Sequence, residues 1–208
     1  MSATLHIKQA TPGTSLRAVP QRIAVVRALL ALVWAAAVVI AVGDRVPTTN
    51  TDLPTAAALF LASYPLIDVI ASLLASSFAD TRVLRINAAI GALAPVAIAI
   101  AAFGSDAGAT LVAFGAWAAL SGAIQLGIAI HRRRAEGRQL PMIVSGGLST
   151  VAGLSFIAAS GDDKAHIATL GGYMAVGALL YLLWARRGQT DPEAAEAPLE
   201  ATPAGPNP

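Results

Sequence analysis

One carboxylate, Asp68, stands in the middle of a long apolar stretch, with Tyr64 four residues before it and Ser72 four residues after. At the centre of a bilayer a charge costs at least about 2.5 kcal/mol, and charges kept there mark proton relays and ion pathways. Ser72, Ser121, Gln125 and Asn87 are polar companions that could share a proton or a monovalent cation with it. Pro65 and Pro95 fall inside apolar stretches as well. Their missing N–H frees a carbonyl and interrupts a helix, a device transporters use at ion sites. The plainer expectation is that Asp68 makes one interhelical hydrogen bond and that the prolines only kink their helices. A second cluster, Asp162-Asp163-Lys164-Ala165-His166, sets Asp162, Asp163 and His166 in one short polar segment. These types could sense external acid or hold a cation weakly, although a solvated loop needs no such role. His131-Arg132-Arg133-Arg134 could attract anionic lipid headgroups through Arg132, Arg133 and Arg134; marking topology is reason enough for the run.

Other chemistries lack their parts. The chain has no cysteine, which excludes disulfides, thiolate nucleophiles and cysteine-ligated metals. No Gly-rich phosphate loop, metal-ligand cluster or pair of intramembrane aspartates occurs, and no serine shares a membrane depth with a histidine and an acid. No catalytic residue, metal or cofactor is therefore expected, and the chain reads as non-enzymatic. Its arginines sit beside apolar runs rather than on a soluble face, which argues against nucleic acid as a partner.

The elements that hold these residues follow from composition. Of 208 residues, 56% are hydrophobic and 12% charged, about half the charged fraction of a soluble domain. Apolar runs at about 23–42, 55–77, 85–103, 110–130, 140–159 and 167–184 are each near the roughly 20 residues that cross a bilayer. The first is too long for the apolar core of a secretory signal. The expected fold is all-α: a polytopic transmembrane bundle of six spans over residues 22–187. Residues 1–21 read as a flexible cytoplasmic lead-in, and 188–208 as an acidic Pro/Ala-rich tail of disordered composition. All but Arg45 and Lys164 of the 14 basic residues fall in alternate polar segments, with Arg27 counted among the charges flanking the first span. The positive-inside rule then puts both termini in the cytoplasm, in a bacterial plasma membrane.

The even-numbered spans share a spacing: Tyr64, Asp68 and Ser72; Trp117, Ser121 and Gln125; Tyr173, Gly177 and Tyr181. Positions i, i+4 and i+8 make one row on a helix, and these polar rows are expected to face inward. The aromatic leads stand 53 and 56 residues apart, and Gly43, Gly104 and Gly161 follow or close the odd spans. The chain thus reads as three tandem helical hairpins. Ser145, Ser149 and Gly153, and Ala118 with Gly122, are small-residue rows that suit close helix contact. They could serve the fold, a homo-oligomer or a membrane partner.

The stretch Trp117-Ala118-Ala119-Leu120-Ser121-Gly122-Ala123-Ile124-Gln125, then Arg132-Arg133-Arg134, then Ile143-Val144-Ser145-Gly146-Gly147-Leu148, resembles the HdeD-like family of small bacterial membrane proteins. The resemblance runs from about residue 55 to 187. It implies six spans in repeated hairpins and a stress-related, acid-resistance setting, with no catalytic residues to carry over. Asp68 departs from the motif, standing where the fourth span has Ser121. Three functions remain open from sequence: an HdeD-like envelope protein, a small transporter or proton/cation conduit centred on Asp68, and an accessory subunit of another membrane protein.

Overall fold

The computed structural model describes residues 12–43, 51–76, 82–136, 140–162 and 166–187. These residues form α1 (Pro12–Val42), α2 (Thr55–Ser76), α3 (Arg82–Gly104), α4 (Ala107–Glu136), α5 (Leu140–Ala159) and α6 (Ala168–Arg187). No strand occurs among them. Five helices contain stretches long and apolar enough to cross a membrane: Gln21–Val42, Thr55–Leu74, Ala107–Arg133, Leu140–Ala159 and Ala168–Arg186. The apolar part of α3, Ala88–Gly104, is shorter, because Arg82, Arg85 and Asn87 occupy its first turns.

Two helices outrun their apolar cores. α1 begins at Pro12, within the segment expected to be flexible; proline suits a first helical turn, where its missing N–H has no intrahelical acceptor. α4 runs on through His131 and the arginines to Glu136, since Arg, Ala and Glu are good helix formers. Residues 1–11 and 188–208 lie outside the described set.

Short connections force alternate helices to run in opposite directions. Gly43 ends α1 with φ 59°, its N–H bonded to the Val39 carbonyl at 3.0 Å, a left-handed cap open to glycine without a Cβ clash. Asp106 caps α4, accepting the Ala109 N–H on Oδ1 at 2.7 Å. The Ala107 N–H bonds the Thr51 carbonyl at 3.2 Å, which ties the α1–α2 and α3–α4 connections together at one end. That end carries Asp52, Asp106 and Asp162, while Arg22, Arg85, Arg132, Arg133 and Arg186 gather at the other. We refer to them as the acidic end and the arginine end.

The helices close a ring in chain order, with α1 meeting α6. Packing around the ring alternates. α4 against α5, α2 against α3 and α1 against α6 are close, whereas α1–α2, α3–α4 and α5–α6 touch less. The closest pair owes its approach to glycine. A Cβ on Gly146 would stand 2.6 Å from the Leu126 nitrogen, and one on Gly122 would stand 2.7 Å from the Thr150 nitrogen. Backbone packs on backbone there, the contact by which membrane helices associate without a hydrophobic drive.

Burial is distributed as in a lipid-facing protein. Ile40 is 79% exposed and Leu93 71%, and such large apolar residues cover the outside of every helix; a soluble monomer rarely presents so continuous an apolar exterior. The core lies in the acidic-end half, where Val38, Leu61, Ile98, Leu111, Ile167 and Leu170 are fully buried. The arginine-end half is not filled in the same way.

Candidate functional site

At the arginine-end half the ring encloses a cavity of about 250 Å³. The three polar rows of α2, α4 and α6 all line it, all nine residues contributing. Each row repeats every fourth residue, so each keeps one helix face, and the ring turns those faces to a common axis. Ser145 and Ser149 of α5, Arg27 of α1 and Arg132 of α4 add to the polar lining, and no described α3 residue takes part. Along α4 the lining runs from Trp117 to Arg132, fifteen residues or roughly 22 Å at about 1.5 Å each.

Arg27 is the residue that sequence reasoning misplaced. Rather than flanking the first span, it projects inward and its Nη2 meets Asp68 Oδ1 at 2.7 Å. The expectation that Arg27 only flanks the first apolar run is corrected accordingly. Two opposite charges inside apolar runs satisfy one another where water cannot. The signal was present: Arg27 follows the start of the apolar run at Ile23 by a full helical turn. Its guanidinium carbon also lies 3.9 Å from the ring centroid of Tyr181, a cation–π contact strengthened by partial desolvation.

From this pair a polar belt crosses five helices. Tyr181 Oη donates to Gln125 Oε1 at 2.8 Å, and Gln125 Nε2 donates to the Met142 carbonyl at 3.3 Å. Asp68, Arg27, Tyr181, Gln125 and Met142 thereby link α2, α1, α6, α4 and α5. Nearer the acidic end, Ser149 Oγ donates to the Ala118 carbonyl at 3.1 Å. That uses its one proton, so the 2.6 Å contact between Ser149 Oγ and Tyr173 Oη has the tyrosine as donor.

Above the belt, aromatic rings close the cavity toward the acidic end. Phe114 is fully buried and touches Tyr64, Trp117, Phe156 and Tyr173, with centroids 6.0, 5.2, 6.4 and 5.9 Å away. Such spacings, mostly edge-to-face, are favourable for ring quadrupoles. Trp117 Nε1 is the one buried side-chain polar atom among the described residues without a hydrogen-bond partner.

The remaining sequence candidates are placed as follows. Asp68 and Ser72 are buried, and Ser121 is half-buried with its Oγ donating to the Ala118 carbonyl at 3.4 Å. Asn87 belongs to α3, and its side chain lies outside the described residues. Pro65 lies in α2 beside Tyr64, and Pro95 in α3, away from the lining. Asp162 and His166 are exposed, and the His166 carbonyl accepts the Thr169 hydroxyl at 2.6 Å; Asp163 lies outside the described residues. Arg132 is half-buried at the cavity and Arg133 exposed, while the side chain of Arg134 is again outside the described set.

No family model matches the chain, and neither the curated proteins nor the solved structures provide a match.

Proposed function

We propose that the protein is a non-enzymatic, six-span carrier of the bacterial plasma membrane that receives a small organic solute in the cavity around Arg27 and Asp68. Both termini face the cytoplasm, since the arginine end is the cytoplasmic end under the positive-inside rule. α3 is the sixth span: its 17-residue apolar part reaches about 25 Å, and Arg85 extends to the interface. A two-helix unit repeated three times in tandem is compatible with the convergence of the three polar rows, and the close helix pairs α2–α3, α4–α5 and α1–α6 then lie between successive hairpins rather than within them. The HdeD-like resemblance is compatible with this reading. Its motif supplies Trp117 and Ser121 to the lining and Gly122 to the α4–α5 contact.

One observation carries the proposal: a cavity with a buried ion pair on its wall, sealed by aromatic rings toward the acidic end and lined down to Arg132 at the other. Carriers place binding sites near the midplane and expose them to one side at a time. Arg27 displaces the cation-conduit reading, because a cation at Asp68 would have to compete with a guanidinium already in contact. Flux in proteoliposomes tests this. Wild type is expected to release at least one class from a panel of labelled organic acids, amines and amides, and to leave proton and potassium gradients intact. Proton or potassium flux abolished by Asp68→Asn would restore the conduit reading.

A further inference from the structure

We propose that the protein holds one acyl chain of an anionic phospholipid in a groove between α1 and α2, with the lipid phosphate at Arg22. The groove has a volume of about 480 Å³ and lies beside the cavity, sharing Ile23, Arg27 and Ala71 with its lining. It arises where α1 and α2 touch only slightly. Its rims are the exposed Val26 and Leu30 of α1 and Leu66, Ile70 and Leu74 of α2, so it opens toward lipid. This holds whatever the cavity carries.

Length and depth select an acyl chain. On α1 the lining runs from Arg22 to Trp34, twelve residues or roughly 18 Å at about 1.5 Å each. That is close to half the roughly 30 Å hydrocarbon core of a bilayer. Both helices set the groove in the arginine-end half of their apolar stretches, Gln21–Val42 and Thr55–Leu74, which gives it the depth of a single leaflet. Its polar atoms are already engaged. Trp34 Nε1 donates to Ser63 Oγ at 2.9 Å at the deep end, Ser63 Oγ donates to the Phe60 carbonyl at 3.2 Å, and Arg27 meets Asp68. The walls therefore present hydrocarbon to a ligand. Arg22 stands exposed at the mouth, at the level where an arginine attracts an anionic headgroup.

A second transmembrane helix is a poorer occupant. Membrane helices approach one another through small residues, as α4 and α5 do at Gly122 and Gly146. In the groove, branched and aromatic side chains surround Ala71 and Ser63, while Ala24, Ala28 and Ala31 of α1 line the cavity instead. A flexible chain follows so uneven a surface where a helix does not. Once bound, it backs the wall formed by Ile23, Arg27 and Ala71, and so seals the cavity from the bilayer at its α1–α2 seam.

Trp34 is the reporter for the test. With Trp117→Phe and Trp184→Phe it is the sole tryptophan of the full chain, and its fluorescence is titrated in phosphatidylcholine bilayers doped with brominated phosphatidylglycerol or brominated phosphatidylcholine. Phosphatidylglycerol is expected to reach half-quenching at an about fivefold lower fraction, the preference one arginine gives at an anionic surface. Bromine near the chain end should quench more than bromine beside the headgroup. Arg22→Gln should remove the preference, and Arg133→Gln, an exposed arginine outside the groove, should leave it. Unlabelled phosphatidylglycerol should relieve the quenching at lower fractions than oleate. Equal half-points for the two lipids make the groove ordinary lipid-facing surface and overturn the proposal. A preference that survives Arg22→Gln overturns the headgroup position, and relief by oleate first makes the ligand a free fatty acid. A Trp34 that neither lipid quenches means that a helix covers the groove, and overturns the proposal as well. Native mass spectrometry of the wild type and Arg22→Gln makes the comparison without the tryptophan changes: retained phosphatidylglycerol is expected in the wild type and its loss in the variant, and a wild type that retains none overturns the proposal.

Discussion

Removing one member of the Arg27–Asp68 pair should cost the fold more than removing both. At 2.7 Å the gross attraction is about 6 kcal/mol at an effective dielectric near 20, most of it offset by the desolvation of two ions. Breaking such a pair from one side leaves an uncompensated charge and costs about 3–5 kcal/mol. The two sides are unequal here. Arg27→Gln strands Asp68, the less exposed partner, and should fall at the upper part of that range. Asp68→Asn strands a guanidinium that keeps more surface and the Tyr181 ring, and should cost about 2–3 kcal/mol. The double variant holds two neutral amides able to bond each other and should lie within about 1 kcal/mol of wild type. Unfolding by denaturing detergent in mixed micelles, followed by far-ultraviolet circular dichroism, measures all four proteins as a double-mutant cycle. A double variant as unstable as the sum of the singles would refute the coupling, and with it the claim that Arg27 faces inward.

Three further outcomes are expected in the same assay. Gly146→Ala should lose about 1–3 kcal/mol by forcing α4 from α5, while Gly147→Ala, whose Cβ would meet nothing within 4 Å, should be neutral or slightly stabilising. Trp34→Phe keeps the edge contact with Phe60 at 5.9 Å but loses the 2.9 Å hydrogen bond from Nε1 to Ser63 Oγ, for a loss of about 0.5–1.5 kcal/mol. Tyr181→Phe removes the bond to Gln125 and retains the ring beneath Arg27, so Tyr181→Leu should be the more destabilising of the two.

Membrane character and helix type are legible in the sequence because both are written in long apolar runs, and no partner decides them. The inward rows are legible for a related reason. Tyr64, Asp68 and Ser72 repeat at the helical period and concentrate the polarity of an otherwise apolar helix, so turning that one face inward removes all three from lipid at once. Arg27 is harder to place, since a basic residue one turn inside a span is equally suited to snorkel to the interface; only the neighbouring helix decides. The roles of Tyr181 and Met142 depend on the order of packing around the ring, which joins α1 to α6 across most of the chain. α3 shows the converse limit. Its apolar stretch, Ala88–Gly104, is short because Arg82, Arg85 and Asn87 fill its first turns, and a run counted from Arg85 does not separate apolar length from flanking charge.

The most direct measurement is side-specific labelling of single cysteines in oriented vesicles, clean in this chain because it has no cysteine of its own. Ser121→Cys, in the cavity, is expected to react faster with a membrane-impermeant methanethiosulfonate added at the arginine-end face than at the other, since the structure is closed by aromatic rings toward the acidic end. Ala58→Cys, fully buried in the acidic-end core, should react from neither. Labelling of Ser121→Cys from the acidic-end face alone, or from neither face, would contradict a solute cavity that opens to the cytoplasm.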